Sequence, residues 1–247
     1  ALRELREAYR IVTQKGSVRF IKAFIESRDA FARARYRLYD LRTFTPLLST
    51  YWRLPGASDS RSSGSRDTTG IIHSPEDKKP VRYSLYVPEN YSSTRHWPLV
   101  LALHGAGGRG DEFLLTWLRP AKTEGFLVLA PQSLGKSWNI ANPEPDTLAI
   151  TEVLATIRKN YRLDPDRILV SGLSDGGTFA YVLAASRPNL FAAVAPIAAT
   201  LPPWTEMKKA RQLPFLIVHG ARDFIFPVFT ARRAVARLKN SGIEEVS

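Results

Sequence analysis

Ser174 is the residue of this chain best placed for covalent chemistry. It stands in Gly172-Leu173-Ser174-Asp175-Gly176, a G-x-S-x-G segment. A serine hydroxyl is a weak nucleophile until a base and a substrate carbonyl can both reach it. A sharp turn from a strand into a helix gives that exposure and strains the serine backbone. The positions two before and two after the serine are crowded in such a turn, and both are Gly here. The bland alternative is a Gly-rich turn carrying an incidental serine.

Two other segments could serve that serine. His104-Gly105-Ala106-Gly107-Gly108 follows a short apolar run. A Gly-rich loop there can aim backbone N–H groups at a developing oxyanion. Ala106 and Asp175 are read as the donors, with Gly107 on the substrate side of the loop; a plain turn with a satisfied histidine is the alternative. His219-Gly220-Ala221-Arg222-Asp223 follows the apolar run 213–218. A carboxylate at that point would orient a catalytic imidazole and stabilise the imidazolium formed during attack. Asp223 is read as this acid, against a surface Asp paired with Arg222. Ser137-Trp138-Asn139 and Leu201-Pro202-Pro203-Trp204 are candidate pocket walls. Trp138 is read as a substrate-binding residue, and core packing is its alternative, because aromatics do both.

The elements that must position these residues alternate between strand and helix. Strands are expected at 82–87, 99–103, 126–130, 168–171, 192–196 and 214–218. Helices are expected at 111–122, from Asp146 to about 161, at 176–186 and at 228–239. Asp146 is read as the cap of its helix, and Leu163-Asp164-Pro165-Asp166 as a turn. The run 99–103 has no polar residue, which marks a strand buried on both faces. Such alternation gives an α/β fold with a mostly parallel sheet and helices on both faces. Sites on such sheets lie at the carboxyl ends of the strands, where Ser174, His104 and Asp223 all fall.

Three stretches precede or make up that unit. Residues 1–53 carry apolar positions at helical spacing and read as a basic helical hairpin. Residues 54–70 are rich in Ser, Gly, Arg and Asp and read as a flexible linker. Residues 71–247 form the α/β domain. The net charge of +12 is concentrated in residues 1–53, with twelve Lys and Arg against five Asp and Glu. That charge would favour an anionic membrane surface or nucleic acid. A solvated helical face is the simpler account, and the nucleic-acid reading ranks last. No apolar run is long enough to span a bilayer, and no signal-peptide pattern opens the sequence at Ala1. The 247 residues include no Cys and four His. Disulfides are excluded, and no spacing suggests a metal site, so neither metal nor cofactor is expected.

Together the motifs resemble the α/β-hydrolase superfamily. His104–Gly108, Ala130-Pro131-Gln132-Ser133 and Gly172–Gly177 are similar to segments of phospholipase/carboxylesterase and polyhydroxybutyrate-depolymerase-like serine esterases. The resemblance covers about residues 80–247. It implies a serine esterase acting on a small or polymeric ester. Prolyl-oligopeptidase-like peptidases share the G-x-S-x-G-G pattern and supply the alternative activity. A catalytically dead binding module is the non-enzymatic one. One departure stands out: the family places its histidine after the acid, and no His follows Asp223. Residues 244–247 read as the opening of a further strand. The base is therefore expected beyond residue 247, with a pseudoenzyme or the use of His104 or His219 as alternatives.

Overall fold

The computed structural model describes residues 68–75 and 81–247. The helical hairpin expected over 1–53 lies outside the described residues, as does nearly all of the linker. β1 (Gly70–His73) begins one residue inside the stretch read as linker. Its Ile71 and Ile72 pair antiparallel with Leu85 and Tyr86 of β2 (Tyr83–Val87), which carries Gly70 into the ladder opposite Val87. The remaining strands are β3 (Trp97–Leu103), β4 (Leu127–Pro131), β5 (Leu163–Leu173) and β6 (Ala193–Ile197). They form one sheet in the order β1-β2-β4-β3-β5-β6. The β4-β3-β5-β6 block is parallel, and β1 and β2 add an antiparallel edge.

Among the described residues four α-helices cover the sheet: α1 (Gly110–Glu124), α2 (Glu144–Asn160), α3 (Asp175–Ser186) and α4 (Phe229–Asn240). Alternation along β3 sorts them, because successive strand side chains point to opposite faces. Leu99, Leu101 and Leu103 pack in one core with Ile150, Val153 and Phe179 of α2 and α3 and with Leu238 of α4. Val100 and Ala102 pack in a second core with Phe113, Leu114 and Trp117 of α1. Every residue of β3 is buried, as its wholly apolar sequence requires.

Three expectations are refined or corrected. Residues 214–218 run parallel beside β6 as expected, but not as an unbroken ladder, because Pro196 of β6 has no N–H to give. They join the sheet through single bridges, Val194 to Phe215 and Ile197 to Val218. Their N–H groups bond alternately to the two sides: Leu216 to the Val194 carbonyl at 3.0 Å, Phe215 to the Glu245 carbonyl at 2.8 Å. Residues 245–247 therefore run beside 215–217, where a further strand was expected to open. Second, Leu163–Asp166 is an excursion within β5 and not a turn before it. Trp97 faces Leu163 but Leu99 faces Ile168, so the extra residues bulge out, and Asp164 accepts the Asp166 N–H at 3.0 Å. Third, Asp146 does not cap α2. That helix starts at Glu144 with a proline in its first turn and no side-chain cap. Asp146 lies inside it, 3% exposed, with its carboxylate turned to the loop before the helix.

Candidate active site

The site is built where β5 ends. Ser174 has φ 55° and ψ −117°, a conformation that non-glycine residues adopt only under strain. It is held there by its N–H, which donates to the Ile197 carbonyl of β6 at 2.9 Å. The turn closes so tightly that a Cβ on Gly172 would overlap the Gly176 carbonyl and come within 2.7 Å of the Gly177 nitrogen. A Cβ on Gly176 would overlap the carbonyls of Leu103 and His104. Both glycines are thus required by close backbone approach, and the strand-to-helix elbow read from the sequence is present. Ala198, just past β6, also has positive φ, at 46°. Nothing in its sequence context signals this.

Register brings the Gly-rich loop to the serine. Leu103 of β3 pairs with Gly172 of β5, so the residues after each strand emerge side by side. A Cβ on Gly105 would sit 3.7 Å from the Ser174 Cβ. Within the loop, Gly107 donates its N–H to the Lys136 carbonyl and Gly108 to the Gly105 carbonyl, both at 3.0 Å. Gly107 therefore has no N–H left for a substrate. Among the described residues nothing accepts the Ala106 N–H. Asp175 is the first residue of α3, and the first N–H groups of a helix have no partner within it. Among the described residues the N–H groups of Ala106 and Asp175 are thus both uncommitted.

His104 is structural. It is 1% exposed. Its Nε2 accepts the Ser133 N–H at 3.1 Å, which leaves Nδ1–H to donate to the Gly105 carbonyl at 2.8 Å. Burial pushes its pKa below the ordinary histidine value. A ring locked neutral with both nitrogens engaged cannot take a proton from Ser174. Trp138 packs against it with ring centroids 4.8 Å apart and planes tilted by 36°, stacks on Phe179 at 5.2 Å, and donates its Nε1–H to the His104 carbonyl at 2.8 Å. Trp138 is 4% exposed. It lies in the core and holds the loop, so the packing alternative is the one the geometry supports.

Asp223 is a held carboxylate. Its Oδ1 accepts the N–H groups of Ile225 and Phe226 at 2.9 Å each. Among the described residues it makes no ion pair with Arg222. Its Oδ2 lies 3.7 Å from His219 Nε2, beyond hydrogen-bond range. That nitrogen donates instead to the Phe226 carbonyl at 2.6 Å. Asp223 therefore keeps an oxygen available for an imidazole, and His219 is committed to its own loop. Trp204 is 66% exposed. Its loop is pinned by Arg237 of α4, whose guanidinium donates to the carbonyls of Leu201, Pro202, Pro203 and Thr205. Ser137 and Asn139 tie down the loop before α2, Ser137 by donating to Asp175 Oδ2 at 2.7 Å and Asn139 through its N–H to Asp146 Oδ2 at 3.0 Å.

Gln132 was legible only as part of a motif, and the structure gives it a task. Its Oε1 accepts the Gly110 N–H at 3.0 Å and its Nε2 donates to the Gly108 carbonyl at 3.3 Å. It also faces a cavity of about 300 Å³ with His73, Arg82, Tyr83 and Arg109. Ser174 does not border that cavity, so it is not the acyl pocket. Among the described residues no group of three or more His, Asp or Glu could hold a metal, and no helix is long and apolar enough to cross a membrane.

Comparison with known proteins agrees with this geometry. The family described as "Putative esterase" matches residues 136–223, a span from the Ser137 loop through Ser174 to Asp223. A bifunctional acetylxylan esterase/xylanase of Neocallimastix patriciarum is 32% identical over 143 residues, 56% of this chain and 21% of that protein. Poly(3-hydroxyalkanoate) depolymerase C of Paucimonas lemoignei is 33% identical over 113 residues, 41% of this chain and 27% of that one. Among solved structures, a thermostable esterase superposes with a TM-score of 0.59 at 29% identity, covering 73% of this chain and 53% of its own. The chain spans less than a third of these two curated relatives. The fold is that of the α/β-hydrolases, and the chain is related to their esterase branch.

Proposed function

We propose that this protein hydrolyses carboxylic esters through an acyl-enzyme on Ser174. The observation that carries the reading is the strained Ser174 flanked by two uncommitted N–H groups, of Ala106 and Asp175. Ser174 Oγ attacks the ester carbonyl and its proton passes to an imidazole. The carbonyl oxygen takes up negative charge and is met by the two N–H groups. The carbonyl–alkoxy bond then breaks, and the alcohol leaves with the proton from the imidazolium. Water attacks the acyl-enzyme with the same imidazole as base, releasing the acid and restoring Ser174. Asp223 orients that imidazole through its free oxygen. Each oxyanion donor is worth about 3–4 kcal/mol in such sites. His104 has both ring nitrogens engaged, and His219 gives its Nε2–H to its own loop while its Nδ1 is buried, so the imidazole is assigned to a histidine outside residues 1–247.

The names of the relatives suggest the substrate class. One acts on acetylated xylan and one on a polyhydroxyalkanoate, so an ester borne on a polymer is the first substrate to try. A binding module is the second reading, favoured by the commitment of His104 and of His219 Nε2 to hydrogen bonds within their own loops. A fluorophosphonate probe on the complete protein separates the two. Labelling at Ser174, together with hydrolysis of a short-chain p-nitrophenyl ester, supports the esterase. An unlabelled, inactive protein supports the module.

A further inference from the structure

The loop between β4 and α2 touches the oxyanion machinery at three consecutive residues. The Lys136 carbonyl accepts the Gly107 N–H at 3.0 Å. Ser137 Oγ donates to Asp175 Oδ2 at 2.7 Å. Trp138 Nε1–H donates to the His104 carbonyl at 2.8 Å. These contacts reach both sources of the oxyanion donors: the loop that carries Ala106 and the residue after the nucleophile. A single carboxylate closes the loop at both ends. Asp146 Oδ1 accepts the Leu134 N–H at 2.9 Å and Oδ2 the Asn139 N–H at 3.0 Å.

We propose that residues 134–139, clamped by Asp146, are a brace that sets the positions of the Ala106 and Asp175 N–H groups, with Ser137 and Asp146 as its positioning residues. The physical case is one of precision. An oxyanion donor contributes in proportion to how well it is pre-aimed, and a loop of small residues cannot aim itself. Gly105, Ala106, Gly107 and Gly108 have no side chains able to fix their own conformation. The aim must come from outside: His104 and Gln132 hold the Gly105 and Gly108 carbonyls, and residues 134–139 hold the Gly107 N–H and the Asp175 side chain. An ionised carboxylate suits the clamp because both of its oxygens accept, and both facing groups donate. An asparagine would set an NH₂ group against one of the two N–H donors.

The inference rests on the esterase reading for its catalytic consequence, but not for its structural one. Ser137→Ala, Ser137→Thr and Asp146→Asn in the complete protein test both. For an active enzyme, Ser137→Ala should lower kcat about tenfold with KM unchanged. Affinity for a boronic acid that mimics the tetrahedral adduct should fall by the same factor. Ser137→Thr, which keeps the hydroxyl, should restore most of both. Asp146→Asn should lower kcat further. Amide hydrogen exchange of residues 104–108 and 175 should speed up in Ser137→Ala and Asp146→Asn while β3 to β5 stay protected. Unchanged kcat and boronate affinity in Ser137→Ala would overturn the brace, as would unchanged exchange in both variants. A wild-type protein without esterase activity would sink the esterase reading alone, and the exchange measurement would still decide the brace.

Discussion

At Ser174 the backbone holds a conformation that the side chain does not favour, and the residue that permits it is Gly172. The atoms a Cβ would strike there belong to the backbone of Gly176 and Gly177, which cannot swing aside as a flexible side chain would. Gly172→Ala should open the elbow and destabilise the fold by about 1–3 kcal/mol or more. A thermal melt should show the loss, and fluorophosphonate labelling should disappear with it. His104 makes a second residue-level prediction. Its pKa is lowered from 6.5 by burial, so the folded state binds the proton less readily than the unfolded chain. The contribution of neutral His104 is full above pH 6.5 and is lost as pH falls through the lower folded value. Protonated Nε2 would also face the Ser133 N–H, donor against donor. Melting temperature and activity should therefore drop together below about pH 6.5. His104→Asn should be less stable throughout and should lack that step. At this scale the elbow at Ser174 and the Gly-rich loop after His104 were legible, because each is carried by a local motif, and the roles proposed for Ser174, Asp223, Ala106 and Asp175 rest on them. Asp146 and Trp138 were not. Asp146 stands at a helix start, where an acid usually reads as a cap, and Trp138 looks the same from sequence whether it faces a ligand or Phe179.

Among the elements, α1 carries a liability at its end. Glu124 is in its last residue position, and burial pushes its carboxyl up to about 7. One oxygen is buried with no partner, and the negative end of the helix dipole adds to the cost of charge there. The sign is opposite to that of His104. A raised acid contributes fully below its unfolded value of 4.5, and that contribution is lost as pH rises through about 7. Glu124→Gln should thus raise the melting temperature at pH 8 and leave it nearly unchanged at pH 4, read by thermal melts at the two values. Strand and helix cores were legible to within a few residues, since apolar period and length speak for themselves in β3 and α2. The edges were not. The bulge in β5 was read as a turn because Asp-Pro-Asp is turn chemistry, and only pairing with β3 shows that the strand resumes across it. Residues 214–218 look like a strand by composition and bond to β6 on one side and to 245–247 on the other, but the break at Pro196 could be placed only once the pairing was known.

For the whole molecule, the sheet order explains why three distant motifs lie at one end of the sheet. β3 and β5 are neighbours and parallel, so His104 and Ser174 leave the sheet at the same end. Residues 215–218 bridge to β6 in the same sense, which brings Asp223 to that end as well. Parallel alternation was legible in the sequence. The order of strands was not legible, because hydrophobic pattern does not say which strand pairs with which. The account as a whole stands on Ser174 as an acylated nucleophile. The direct measurement is mass-spectrometric detection of the acyl group after the complete protein is mixed with a p-nitrophenyl ester and quenched within one turnover. An acyl adduct confined to the peptide holding Ser174, absent in Ser174→Ala together with a loss of turnover on the order of 10⁴-fold or more, is the predicted result. Turnover that survives Ser174→Ala, or an adduct on another residue, would contradict it.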